Sequence, residues 1–244
     1  EIPMWLGQAA EVSEGSNGRL RVSAGDNSVE VERVFASLGR RPNVDRLGLE
    51  AIDAPVDENG IPVYDPNTMQ VGDLPVFLAG DVTGERPLLH EAGDEGRIAG
   101  QNAVSETITA YKRKTPLNIT FCDPNIVQVG QSYASLDLDK AAVGEVQMAP
   151  VGRALIMAKN KGLIRVYADK ESGKMLGAEM ICIKAENLGH LLAWSIQQGL
   201  TVGELLQMPF YHPVIEEALQ AALYDLYAKV DAKNPGPITE VRPL

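Results

Sequence analysis

Short runs of β-branched and apolar residues alternate with turn signals from Arg19 to Ala36. Leu20 and Val22 precede Gly25-Asp26-Asn27, and Val29, Val31, Val34 and Phe35 follow it, a spacing that predicts two or three short strands. Asp45 to Asp73 is rich in Pro, Gly, Asp and Asn and reads as connection, with Asn59-Gly60 as a turn ahead of a short strand from Ile61 to Tyr64. Val76-Phe77-Leu78-Ala79 is a continuous apolar run of the kind buried on both faces of a parallel sheet. Ile98, Ala99, Ala103, Val104 and Ile108 then recur at helical spacing up to Tyr111.

The basic, Pro-terminated Lys112-Arg113-Lys114-Thr115-Pro116 marks a boundary, after which the pattern changes. Strands are predicted over Asn118 to Phe121, Ala154 to Lys159, Leu163 to Ala168 and Met175 to Ile183, with Asp169 to Lys174 closing a hairpin. Helices follow over Ala185 to Gln198, Val202 to Leu206 and Pro213 to about Lys229. The last carries a stripe of Ile215, Leu219, Ala222, Leu223 and Leu226. Strands followed by helices predict an α+β domain after the remainder of an α/β one.

Composition narrows the function classes. In 244 residues, 22 Lys and Arg stand against 33 Asp and Glu, a formal charge of -11, so nucleic acid and anionic membrane are poor partners. Charges interrupt every long apolar stretch, well short of the ~18 residues of a membrane span. Cys122 and Cys182 are too few for a disulfide framework or a Cys-based zinc site, which suits a cytoplasmic chain without a metal, and both sit in strand-like contexts expected to bury them. The start, Glu-Ile-Pro-Met-Trp, lacks an initiator Met and any signal-peptide pattern, and leads to the expectation of a preceding segment.

Two clusters carry candidate chemistry. In Phe210-Tyr211-His212-Pro213-Val214-Ile215-Glu216-Glu217, Pro213 suits the first position of a helix, and His212 is held extended at its entrance. Glu217 can fold back on the imidazole; a carboxylate on one ring nitrogen fixes the tautomer and raises the basicity of the other, as a general base requires. A capped helix start with an incidental histidine stays open on spacing alone, and His190, inside an amphipathic helix, reads as a packing residue. The second cluster is Gly80-Asp81 at the end of the apolar run, with Leu88-Leu89-His90 ahead of a helix. A carboxylate there can accept from a ribose or polyol, and helix amides can face an anion. An Asp that only terminates a strand is the alternative. Gly93, Gly96 and Gly100 do not make G-x-G-x-x-G.

In order along the chain come Gly39-Arg40-Arg41-Pro42-Asn43, Phe77-Leu78-Ala79-Gly80-Asp81-Val82, Asp94-Glu95-Gly96, Asp123-Pro124 with Val129-Gly130, and His212-Pro213 with Glu217. Together they resemble the C-terminal half of the pyridine nucleotide-disulfide oxidoreductases, most closely the dihydrolipoamide dehydrogenase branch. The resemblance implies the C-terminal part of a three-layer FAD/NAD-binding fold followed by an α+β dimerisation domain: residues 1–43 ending the NAD domain, 44–115 a second segment of the FAD domain, 116–244 the interface domain. It implies that Gly39 lies near the nicotinamide cofactor and that Asp81 binds the FAD ribityl chain. Leu88, Leu89 and His90 would approach the flavin, His212 would be the base serving the other subunit of a homodimer, and Glu217 would orient it. The implied substrate is dihydrolipoamide on a lipoyl carrier domain of a 2-oxoacid dehydrogenase complex, with FAD and NAD as cofactors. Phe210 departs from that branch, which has a second His there, so another disulfide such as glutathione is a rival substrate, and a non-enzymatic dimerisation module a rival function. The family's redox disulfide and both glycine fingerprints lie before the matched region. The chain alone is therefore expected to be inactive and without tightly bound FAD, and the strand edges of its first 115 residues to be unpaired, leaving that region disordered, swapped or assembled onto another chain.

Overall fold

The computed structural model describes residues 2–233; residue 1 and residues 234–244, the end of the expected interface domain, lie outside the described residues. The chain opens with an antiparallel meander of β1 (Ala10–Glu14), β2 (Leu20–Ala24) and β3 (Asn27–Val31). Ala24 pairs with Asn27, so the β2–β3 loop is the two residues Gly25 and Asp26, and Gly25 takes the positive φ of 58° that such a loop requires. Of the two or three short strands expected between Arg19 and Ala36, two are present, β2 and β3. Val34 and Phe35 belong to neither, and β1 precedes the stretch in a polar run, Ala-Glu-Val-Ser-Glu, that hides its strand character.

The apolar run Val76 to Ala79 is not a strand of a parallel sheet. Phe77 makes one antiparallel bridge to Gln70, and the Leu78 N–H donates to the Met69 carbonyl at 2.9 Å. A parallel strand needs a neighbour reached by a long crossover; among the described residues there is none, so the backbone satisfies itself in local antiparallel pairs. Ile61 to Tyr64 is likewise reduced to isolated bridges, since Pro62 cannot donate to a ladder. The helix expected over 98–111 is α1 (Leu89–Ala103), starting earlier and stopping sooner. Its core-facing polar residues, Glu91, Glu95 and Asn102, break the apolar stripe a periodicity reading follows. Asn102 also ends it, exchanging hydrogen bonds with the backbone of Thr109 and turning the chain back.

The rest forms a five-stranded antiparallel sheet, in the spatial order β4 (Leu117–Thr120), β5 (Asn125–Gly130), β8 (Met175–Cys182), β7 (Leu163–Asp169) and β6 (Ala141–Gln147). Between β6 and β7, the expected strand at Ala154 to Lys159 is instead the single-turn helix α2 (Gly152–Ile156), whose end is closed by Ala158 at φ 53° and the Lys159 N–H bonded to the Ala154 carbonyl. Three helices follow: α3 (Ala185–Gln197), α4 (Val202–Leu206) and α5 (Glu216–Lys229). The capping box of Thr201 and Glu204 fixes the start of α4. Val127, Val129, Ile164, Val166 and Met180 face Leu188, Leu192, Leu219, Leu223 and Leu226, all buried in one core. Each such side chain contributes about 1.5–3 kcal/mol, and this layer holds the entrance of α5 against the sheet.

Candidate active site

The helical residues of α5 begin at Glu216, so Pro213 is not its first position; residues 213–215 form a turn ahead of it, and the His212–Pro213 peptide is cis. Ahead of the first helical turn, the Val214 N–H donates to a side chain, Glu217 Oε2, at 3.0 Å. The other carboxylate oxygen, Oε1, lies 2.7 Å from His212 Nδ1. One glutamate in the first turn of α5 thus caps the turn and grips the imidazole, at the end of the helix where negative charge is favoured. The bond to His212 and the Val214 amide hold the Glu217 carboxyl below its ordinary value of 4.5. Ionised, it can only accept, so Nδ1 is the donor, and whenever the ring is neutral Nε2 presents its lone pair on a side chain that is 81% exposed.

Beside this pair opens an apolar cleft of about 500 Å³, between the C-terminal half of α3, the loop after α4 and the start of α5. Trp194, Met208, Phe210, Tyr211, Val214 and Leu223 line it, so Phe210 turns the position two before His212 towards hydrocarbon. His190 does not pack inside the core: it is exposed, bonded through Nδ1 to the Glu186 carbonyl and edge-on to Trp194. Cys122 is likewise exposed, contrary to expectation, because it follows the end of β4. Cys182, inside β8, is buried.

The second cluster assembles around a residue that sequence reading did not single out. Arg40 donates through Nη1 to Asp81 Oδ2 at 2.7 Å and through Nη2 to the Pro87 carbonyl at 3.0 Å. The partners are 41 and 47 residues away, so no local spacing signals them. Gly39, next to it, has φ 88° with nothing within 4 Å of where a Cβ would stand; its backbone, not crowding, requires glycine. Leu88 ends the extended approach to α1, which starts without a side-chain cap, so the first-turn amides lack a side-chain acceptor, and Leu89 there is 91% exposed. A half-exposed carboxylate, one oxygen of which has no partner among the described residues, close to an uncapped helix start, fits the polyol and anionic portion of a flavin nucleotide. Asp81 and the amides at Leu89 and His90 would hold it. No hydrogen bond or ion pair among the described residues joins this cluster to His212 and Glu217, and none of the described His, Cys, Asp and Glu residues group in threes suited to a metal ion. No described helix is long and apolar enough to cross a membrane.

A family model for pyridine nucleotide-disulphide oxidoreductases matches residues 2–96, and that family's dimerisation-domain model matches residues 117–223. The chain belongs to the pyridine nucleotide-disulphide oxidoreductases. The stretch 97–116 between the two matches holds the basic connector around Arg113, after which the strand-and-helix pattern changes. Among curated relatives, a dihydrolipoyl dehydrogenase of Haloarcula marismortui is 30% identical over 89% of this chain and 47% of its own length. One from Bacillus subtilis is 27% identical over 87% and 45%. The chain therefore spans about half the length of the curated relatives it matches. Of solved structures, LpdA from Mycobacterium tuberculosis superposes with a TM-score of 0.74 at 25% identity, covering 88% of this chain and 47% of that one. The HOCl-induced flavoprotein disulfide reductase RclA from Escherichia coli shares the fold at a TM-score of 0.71 and 23% identity, over 91% and 50%.

Proposed function

We propose that the chain supplies the C-terminal portion of a flavoprotein that oxidises dihydrolipoamide and delivers the electrons to NAD. In this reading residues 1–43 close an NAD-binding domain, 44–115 contribute the second segment of an FAD-binding domain and 116–244 form the dimerisation domain of a cytoplasmic homodimer. The observation that carries it is the His212–Glu217 pair, 2.7 Å apart with Nε2 open, in a chain whose curated relatives are dihydrolipoyl dehydrogenases.

Thiolate, not thiol, enters disulfide exchange. His212 Nε2 takes the proton from one sulfur of the bound dithiol and becomes an imidazolium, whose second N–H points at Glu217 and is stabilised by its negative charge. Phe210 and Tyr211 offer apolar surface beside the base to the hydrocarbon arm of a lipoyl group on its carrier domain. FAD, when bound, supplies the acceptor for the electron pair on its way to NAD. Asp81, Leu88, Leu89 and His90 are this chain's share of the flavin site and Gly39 its approach to the nicotinamide nucleotide.

The test is steady-state turnover of the full-length protein with dihydrolipoamide and NAD. His212→Ala is expected to lower it roughly 100-fold or more, as loss of a general base does; turnover near normal removes His212 from the chemistry. Because Phe210 replaces the histidine usual in this branch, glutathione disulfide is assayed alongside, and a preference for it would change the substrate while leaving the base in place.

A further inference from the structure

The most buried charged cluster of the described residues lies outside the base pair. Arg113, in the connector to the dimerisation domain, donates through Nη2 to Glu91 Oε2 at 2.6 Å and to Glu95 Oε1 at 2.9 Å. Glu95 is 1% exposed. Its second oxygen, Oε2, accepts the Gly80 N–H at 2.7 Å. Gly80 has φ 86° and ψ -161°, a region of the backbone map open essentially to glycine alone, and a Cβ built on it would stand 3.5 Å from Ala92 in α1. The turn that presents Asp81 thus sits in a conformation with little intrinsic preference, close against α1, and its amide is held by a buried carboxylate.

A carboxylate this buried keeps its charge only beside a compensating one. Arg86, 3.7 Å from Glu91, shares the charge of that residue, whereas Arg113 is the one cation bonded to Glu95 among the described residues. The chain is brought to this point by the bonds between Asn102 and Thr109 and by the Tyr111 N–H to the Asn67 carbonyl. Two residues beyond Arg113, Thr115 is tied to Gln197 at the end of α3.

The geometry points to Arg113 as a positioning residue: acting through Glu95, it fixes the Gly80–Asp81 turn against α1 and so sets the Asp81 carboxylate relative to the helix start at Leu88 and Leu89. Its consequence for flavin rests on the proposed role of Asp81; its consequence for the turn does not.

The experiment uses the full-length protein and two readouts, amide hydrogen exchange at Gly80 and flavin retention with its visible circular dichroism. Arg113→Gln is expected to speed Gly80 exchange by roughly tenfold or more, because Glu95, left without its cation, holds the Gly80 N–H less firmly, and to weaken flavin retention by a similar factor. Arg113→Lys, which restores the charge, recovers much of both. Unchanged Gly80 exchange overturns the inference whatever the flavin does. Faster exchange with unaltered flavin supports Arg113 as the holder of the turn and sinks Asp81 as a cofactor contact instead. If Arg113→Gln does not fold, Glu95→Asp keeps the charge but shortens the reach to Gly80, and the same readouts decide: faster exchange supports the inference and unchanged exchange overturns it.

Discussion

At the scale of single residues, Glu217 does two jobs through its two oxygens, and they can be separated by titration. Its carboxyl is held below 4.5, first by His212 and then by the Val214 amide. A depressed folded-state value means that the stabilisation is complete above the unfolded value, near 4.5, and is lost as pH falls through the lower folded one. Carbon-detected NMR titration should therefore place Glu217 below 4.5. His212→Ala should move it part of the way back, with the Val214 bond holding the remainder; an unmoved midpoint would show that the imidazole does not act on this carboxylate. The cysteines differ as sharply. Burial, followed by the charge of Glu186, pushes the Cys182 thiol up to about 12, leaving essentially no thiolate near neutral pH, whereas Cys122 is exposed. Alkylation of the folded protein at neutral pH, read by peptide mass spectrometry, should label Cys122 and spare Cys182 until denaturant is added. Equal labelling would contradict the buried setting of β8.

At the scale of elements, helices were legible where a stripe faces one core, and strands where β-branched residues cluster. α3 and β7 are legible nearly to their ends because Leu188 and Leu192, and Ile164 and Val166, obey those periods. β6 was not, since Ala-Ala-Val-Gly-Glu-Val-Gln looks like a poor strand. Its small residues serve packing instead: a Cβ at Gly144 would stand 2.4 Å from the Ala222 carbonyl oxygen and 2.5 Å from Leu226 Cβ, so α5 can lie on β6 only over a glycine. Gly144→Ala should accordingly cost about 1–3 kcal/mol in urea unfolding and disturb α5, which carries Glu217. Gly152→Ala, with nothing within 4 Å and inside α2, should be neutral or stabilising by up to about 1 kcal/mol. Equal effects would mean that α5 does not approach β6 so closely. The same contrast explains the site. His212 and Glu217, five residues apart, could be paired by spacing, whereas Arg40 with Asp81 and Arg113 with Glu95 join residues 41 and 18 apart, which only the fold brings together.

At the scale of the whole molecule, two groups of exposed apolar side chains stand out, and one of them lies in the region matched by a dimerisation-domain model. Ile2, Met4, Leu6, Phe35 and Leu38, which flank the strands of the first sheet in the chain, are largely exposed, within the part matched by the first family model. The cleft beside His212, with Trp194 63% exposed and Tyr211 more so, lies within the region matched by the dimerisation-domain model. An exposed tryptophan lining an apolar cleft is the type of side chain that dominates an interface, with truncation costing about 2 kcal/mol or more, about 30-fold in affinity. If a second copy covers this cleft, Trp194→Lys, which puts a charge where hydrocarbon is buried, should weaken self-association by at least that factor in sedimentation equilibrium. If His212 serves the neighbouring subunit, turnover of the full-length protein should fall as well, because such a base works only while the subunits are joined. The Glu217 titration should stay where it was, since the substitution leaves the His212 pair untouched. An unchanged dimer would place the interface elsewhere, and full turnover by a monomeric Trp194→Lys protein would show that His212 serves a site on its own chain.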